Sequence, residues 1–576
     1  MHRIAAMSLI IIVLATGIWL GIQPLKPPSP PSESDADYPA YHQMMANLKA
    51  MTLAPHPSGS EELASVRAYL LAQIRAMGLE ATIEKVRYTV ADVEADILER
   101  NGAPKFNNNH VGEPPPADAF KDTIRRRAHF DENDEVVLQN ILVKLDAPGT
   151  DRGILLSAHY DTKPTTPGAA DDMISVSAML EAMREQADKA NLRSDLYFLF
   201  TDGEELGALG AKAFVQSHPE LLDTIDLVVN FEARGNRGGL LMFETSDDNL
   251  DAVRYFQSAS SRPLAYSFTT ALYRRMPNGT DLTHYLKAGY TGLNFAAAEG
   301  VEHYHRLSDS FENLDRGTAY HFLQTVMEMA NHAASEPFQD SRRQDSLYFP
   351  LFPGHLAVMS RAASYALSAA AALFAVWWMI VQIRTDKVRL RMIFVEAGWL
   401  LGGVVGAALF SWGIVFGLTR LMQLDESTNN DTVFLSVILA LGACVLAAGS
   451  LLVRKLSLRQ AIAGLVPLLL LLIVGSAALF QDISYLFSFA TLGILVVALL
   501  DRYRIGRWIA TAVVGAGIGF LYAPVCWLIY VLFMLPFAPV VAAISVIPIS
   551  MAAALLATTS KDASGPNRSA ALFTSS

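Results

Sequence analysis

Cysteine is almost absent. Among 576 residues only Cys444 and Cys526 occur, both inside apolar runs. This excludes a disulfide framework and a thiolate metal site, so any metal must be held by histidine and carboxylate. Charge is also scarce, at 18% of residues, and hydrophobic residues reach 52%. Soluble domains average about 25% charged and about 45–50% apolar. The scarcity is uneven: charged residues crowd before residue 350 and nearly vanish after about 360. A basic excess is missing as well, with 45 Lys and Arg against 56 Asp and Glu. The net charge of −11 argues against a nucleic-acid partner. The composition break implies one polar globular unit joined to a membrane unit.

Long apolar runs are what the chain has in excess. The first, residues 4–22, follows His2 and Arg3 and has no small-x-small cleavage site at its end. It reads as an uncleaved signal anchor over 1–22, with a cleaved signal peptide as the alternative. Residues 23–40 hold a Pro/Ser-rich stalk, expected to be extended and to pack poorly. Seven further runs, near 363–383, 393–419, 432–453, 461–480, 484–500, 508–533 and 538–557, can each cross a bilayer. Together they predict a membrane domain over 361–558, preceded by a linker at 336–360 and followed by a cytoplasmic tail at 559–576.

Loop charges set an orientation. Arg384, Lys387, Arg389 and Arg391 follow the first of the seven runs, Arg454, Lys455 and Arg459 the third, and Arg502, Arg504 and Arg507 the fifth. The alternate loops carry Asp425, Glu426 and Asp431, then Asp482, then no charge. Basic loops face the cytoplasm. Both termini are therefore expected inside and residues 23–360 outside. Pro467 and Pro524 fall within spans, and Glu396 near a cytoplasmic end reads as structural.

Residues 41–335 alternate β-rich and helical patterns. Strands are expected at 140–145, 154–157, 196–200, 227–231 and 240–243, and helices at 175–187, 208–217, 250–260 and 316–332. Such βα units predict an α/β fold with a mixed, mostly parallel sheet covered by helices on both faces. Residues 92–135, rich in Pro and Asn, read as an irregular insertion.

Acidic residues and histidines fall at strand ends. His159 and Asp161 follow ILLSA, and Asp171 and Asp172 lie in PGAADD before a helix. Glu204 and Glu205 follow LYFLF, Glu232 ends LVVNF, and His305 comes in EHYHRLSDS. Open α/β sheets assemble sites at the carboxyl ends of their strands. Two imidazoles and three carboxylates suit a pair of zinc ions. Singly, each residue has a plainer explanation: an Asp after a strand is usually a helix cap, and a Glu pair at a helix start complements the dipole. Jointly, five such placements are poorly explained that way. His56, His110, His129, His218 and His303 lack an equivalent setting.

The motifs H-x-D, G-A-x-D-D, D-G-E-E-L-G-x-x-G-A, N-F-E-A and Y-H-x-x-x-D, in this order, resemble the co-catalytic dizinc aminopeptidase family typified by aminopeptidase Y and aminopeptidase S. The segments HPSGS (56–60), NFEARG (230–235) and PNGTDLTHYLKAGYTGLNFA (277–296) are similar to its membrane-anchored branch of vacuolar membrane proteases and endoplasmic reticulum metallopeptidases. Two departures are Glu232, where soluble members commonly have Asp, and Met173–Ile174, where many have Gly-Ser.

The resemblance implies a zinc exopeptidase-like fold over 41–335. It implies two zinc ions, one held by His159 and Glu232, the other by Glu205 and His305, with Asp171 bridging. It further implies Glu204 as general base, Asp161 orienting His159 through the second ring nitrogen, and Tyr304 as a donor to the developing oxyanion. The expected activity is peptide-bond hydrolysis, aminopeptidase-like, on peptide or protein substrates, with the lipid bilayer as the other partner. Competing readings are a glutaminyl cyclase-like enzyme with one zinc, a catalytically inactive receptor or scaffold, and a transporter carrying an accessory domain. A bacterial inner membrane with a periplasmic catalytic domain is the first expectation for location. The sequons at Asn278 and Asn430 keep a vacuolar or endoplasmic reticulum membrane as the alternative.

Overall fold

The computed structural model describes residues 2–101, 117–187, 189, 191–276, 278–341, 343–423, 431–453 and 456–557. The tail at 559–576, His110, Asp425, Glu426, Asn430, Arg454 and Lys455 lie outside these residues. The chain divides into two compact units, Pro24–Ser360 and Met1–Gln23 with Arg361–Ser576.

The first unit is built on a seven-stranded sheet. Its strands are β1 (Thr82–Thr89), β2 (Glu135–Leu145), β3 (Gly153–His159), β4 (Asp195–Thr201), β5 (Ile225–Ala233), β6 (Arg237–Thr245) and β7 (Gly292–Glu299). They are ordered β1-β2-β4-β3-β5-β7-β6. The central β4, β3, β5 and β7 run parallel, and β1, β2 and β6 pair antiparallel at the two sides. The sheet is thus the mixed, mostly parallel one the sequence predicts.

Every residue of β3 and β4 is buried, as a strand covered on both faces requires. Alternation divides them. Ile154, Leu156 and Ala158 join a core with residues of the helices Glu61–Ala76, Ile174–Ala187 and Arg316–Ser335. Leu155 faces the other way, with Phe214 and Tyr285 of the helices Leu209–Ser217 and Asp281–Ala288.

Three stretches differ from the expectation. The 92–135 insertion contains helical residues, because Val90–Asn101 and Ala117–Arg125 form helices whose Val93 and Ile124 share a small core with Leu138 and Leu209. The 336–360 stretch contains a hairpin of β8 (Ser346–Phe352) and β9 (His355–Ser360). Pro350 is accommodated there because a two-stranded sheet leaves each strand an unpaired edge. The Pro-rich segment after residue 23 is seated on the sheet unit: Tyr320 donates its hydroxyl to Asp37 over 2.6 Å, and Gly317 leaves room for the Pro28 carbonyl.

The second unit contains eight helices, among the described residues, long and apolar enough to cross a membrane. Their α-helical portions are His2–Ile22, Arg361–Arg384, Leu390–Met422, Asp431–Leu452, Leu458–Leu479, Ser484–Leu499, Arg504–Phe533 and Ala538–Leu555, the sixth extended by single 3-10 turns to the 22-residue span Gln481–Arg502. At about 1.5 Å per residue the 21-residue first helix is long enough for the hydrocarbon core. It packs on the Arg504–Phe533 helix through small residues: a Cβ on Gly17 or Gly21 would collide with the carbonyl of Ala516 or Phe520. Such close approach is how helices associate where no water drives them together.

Candidate metal centre

The parallel strands end side by side, and the loops leaving them converge. His159 closes β3 opposite Thr201, the last residue of the adjacent β4. Glu204 and Glu205 lie just beyond Thr201, and Glu232 sits near the end of β5 on the other side of β3. The loop carrying Asp171 turns at Gly168, which has φ +70°, and a Cβ there would strike Thr162 and the Asp171 carbonyl.

Asp171 stands between two histidines. Its Oδ1 lies 3.2 Å from His159 Nε2 and its Oδ2 lies 3.2 Å from His305 Nε2. His159 Nε2 is also 3.7 Å from Glu232 Oε2, and His305 Nε2 is 3.1 Å from Glu205 Oε1. Two groups capable of holding a metal result, His159–Asp171–Glu232 and Asp171–Glu205–His305. All five side chains named from the sequence meet, and Asp171 belongs to both groups. Glu205 Oε1 and His305 Nε2 are buried without a hydrogen-bond partner despite their proximity. Buried polar atoms in that state are costly unless they share a cation, so the donor set fits zinc.

His305 adopts a left-handed backbone, φ +57°, a strain that persists only where its surroundings enforce it. Part of the enforcement is Thr165, whose hydroxyl donates to the His305 carbonyl over 2.9 Å. Asp309 supplies another tie from the same loop. It accepts the N–H of Ala170 at 2.8 Å and of Asp171 at 3.2 Å, clamping one metal-facing loop to the other. Burial pushes its carboxyl up to about 7. Asp172 takes the local helix-start role, accepting the Ser175 hydroxyl.

Asp161 meets the second ring nitrogen of His159 through its main chain. His159 Nδ1 is held at 2.9 Å by the Asp161 backbone carbonyl, whereas the carboxylate is 3.6 Å away. That carboxylate accepts the N–H of Glu204 at 3.0 Å and of Glu205 at 3.3 Å. Ser58 donates to Asp161 at 3.2 Å and lies 2.7 Å from Asp202, bridging two buried carboxyls. Burial, with Asp161 adding, pushes Asp202 up to about 7. Glu204 is pushed up to about 8, first by burial and further by Glu205. Tyr304 stacks on the His305 ring, centroids 3.6 Å apart, and burial raises its hydroxyl well above 10.

Sequence reasoning assigned no role to Ser58, Lys163 or Asp309. Ser58 and Asp309 lie inside segments already singled out, HPSGS and Y-H-x-x-x-D, so a signal existed. Lys163, which forms an ion pair with Glu205, had none beyond its place two residues after Asp161. None of His56, His129, His218 and His303 joins either metal-capable group among the described residues.

Residues 140–330 match the model of Peptidase family M28. Similar curated proteins are vacuolar membrane proteases of Lachancea thermotolerans, 28% identical over 310 residues, and of Candida dubliniensis, 28% identical over 269. The matches cover 53% and 45% of this chain but only 30% and 27% of those proteins. The chain thus spans under a third of the length of these relatives.

Similar solved structures include an aminopeptidase from Aneurinibacillus sp. strain AM-1 (16% identity, TM-score 0.39, covering 51% of this chain and 94% of that one). A zinc aminopeptidase from Bacillus subtilis gives 16% identity and TM-score 0.39, covering 53% and 97%. Porphyromonas gingivalis glutaminyl cyclase gives 14% and 0.36, covering 50% and 97%. The M28 match thus falls in a chain that also carries eight helices, among the described residues, long and apolar enough to cross a membrane.

Proposed function

We propose that this chain is a membrane-anchored, aminopeptidase-like enzyme that hydrolyses peptide bonds at a bridged two-zinc site outside the cytoplasm. The observation that carries this reading is Asp171, whose two oxygens face two separate histidines, each with its own carboxylate. In this reading His159 and Glu232 hold one ion, Glu205 and His305 the other, and Asp171 both. When bound, the ions supply Lewis acidity to the attacking water and the scissile carbonyl.

Glu204 takes the proton from that water and delivers it to the leaving amine. Tyr304, kept protonated in its half-buried place, donates to the oxygen on which negative charge develops. Asp161 and Ser58 hold the backbone of Glu204 and Glu205, so that adjacent carboxylates keep separate tasks. Residues 41–335 are the peptidase domain in this reading and 361–558 its membrane domain. A one-metal cyclase would leave the Asp171–Glu205–His305 group without work, and an inactive receptor would leave Glu204 without any. For location, the vacuolar alternative draws support from the similar vacuolar membrane proteases, and the bacterial inner membrane draws none.

Glu204→Gln tests the reading. It should retain zinc and fold while lowering hydrolysis of peptides and aminoacyl reporters by about 10²–10⁴-fold. Unchanged turnover would refute it as base, and loss of zinc would exchange its role with that of Glu205.

A further inference from the structure

Beneath Glu232, on the same face of the sheet, runs a row of polar side chains with no part in the chemistry described so far. Asn230 lies two residues before Glu232 on β5, a spacing that puts both side chains on one face of a strand. Asn230 is in register with Asn294 of β7, and Asn294 with Glu244 of β6. Asn230 and Asn294 are wholly buried and Glu244 nearly so. Two residues further from the strand end, at Val228 beside Leu155, the same face is apolar. In the middle of a sheet, amides and a carboxylate cost more than apolar side chains of similar size.

Both amides use every hydrogen they have. Asn294 Nδ2 donates to Glu244 Oε2 and to Thr280 Oγ1, each over 2.8 Å. That leaves its Oδ1 to face Asn230. Asn230 Nδ2 donates to this oxygen over 3.0 Å and to Glu232 Oε1 over 3.2 Å. The Asn230 oxygen itself is buried without a hydrogen-bond partner. An amide that keeps both donations while its own acceptor goes unmet is oriented by its neighbours. Glu232 thereby has Oε1 committed to Asn230, and Oε2 is the oxygen that stands 3.7 Å from His159 Nε2.

We infer that Glu244, Asn294 and Asn230 are positioning residues for Glu232. Glu244 and Thr280 set the Asn294 amide, Asn294 sets Asn230, and Asn230 holds Glu232 so that only Oε2 is offered to the His159–Asp171–Glu232 group. The inference rests on the two-zinc reading and narrows it, because the row ends on a ligand of one ion only.

The test is zinc affinity of the full chain in detergent, measured by competition with a chelating dye. The melting temperature of the metal-free protein checks folding. Asn230→Ala should weaken one zinc by about 10–100-fold, as loss of a residue that orients a metal ligand does, and leave the other near its parent constant. The affected ion should be the one that His305→Ala spares. Glu244→Leu removes the acceptor at the far end of the row and should weaken the same ion by about tenfold. It carries the test should Asn230→Ala fail to fold. Glu244→Gln still offers an oxygen to Asn294 and should hold both ions as the parent does. A general loss of packing would lower both constants together. Weakening of both ions alike, or of neither, in a folded variant overturns the inference, as does a Glu244→Gln variant as weak as Glu244→Leu. A parent chain with a single zinc refutes the two-zinc reading and the row with it, whereas two ions with constants unmoved by Asn230→Ala refute the row alone.

Discussion

Asp161 directs its carboxylate at the backbone of Glu204, whose N–H it accepts over 3.0 Å, and leaves the imidazole of His159 to its own carbonyl oxygen. Side chain and main chain of one residue thus serve two different parts of the site. Asp161→Ala keeps the carbonyl and removes the carboxylate. Turnover should fall about 10–100-fold, as for other groups that position reacting residues, with zinc content near that of the parent. Kinetics and elemental analysis on the same preparation check this; zinc loss would return the orienting role to the carboxylate.

Metal stoichiometry separates the shared residue from the unshared ones. Asp171→Asn should lower the content of both zinc ions, whereas His305→Ala should chiefly remove one. Elemental analysis of purified protein measures each. No more than one tightly held zinc in the parent chain would refute the bridged pair.

Acid sensitivity should be traceable to His321. Its Nδ1 accepts the Leu240 N–H over 3.0 Å, and burial lowers its pKa to about 4, against about 6.5 when unfolded. The unfolded chain therefore binds the proton more readily between those values. This contribution to stability is complete above about pH 6.5 and is lost as pH falls toward 4. His321→Asn, which can still accept from Leu240, should flatten that part of the melting-temperature profile between pH 7 and pH 4.5. An unchanged profile would assign the acid response elsewhere.

Sidedness is open to thiol labelling. With Cys444 and Cys526 replaced by serine, a cysteine at Asp146 should react with an impermeant reagent from the non-cytoplasmic side. One at Lys387 should react only after permeabilisation. Both positions are exposed, so accessibility itself does not bias the result. The reverse pattern would invert the orientation and move the peptidase domain into the cytoplasm.

The parts of the fold written into local pattern were legible. β3, β4 and β5 are continuous apolar runs, and the residues after them announce the site because strand ends converge in any such sheet. The spans were legible for the same reason, length and apolarity being local quantities. β1 was not, because TIEKVRYT mixes polar and apolar residues at a sheet edge and is identified by its partner β2 rather than by its own composition. Which atom of Asp161 holds His159 was not legible, because spacing in H-x-D cannot tell a side-chain oxygen from a carbonyl oxygen. HPSGS marked the segment of Ser58 but not its task, because the serine's partners lie more than a hundred positions away.

The Gly17–Gly21 face of the first helix meets a partner that begins at Arg504. During synthesis, at about 5–20 residues per second, roughly 25–100 s separate the two. Through that interval the first helix must remain in the bilayer on its own apolarity, its glycine face turned to lipid. The globular domain emerges and can fold within the same window. Final closure of the bundle is therefore a late event in the life of each chain. A ribosome that stops before Arg504 leaves a tethered globular domain whose anchor still lacks its match, which distinguishes an unfinished copy from a finished one.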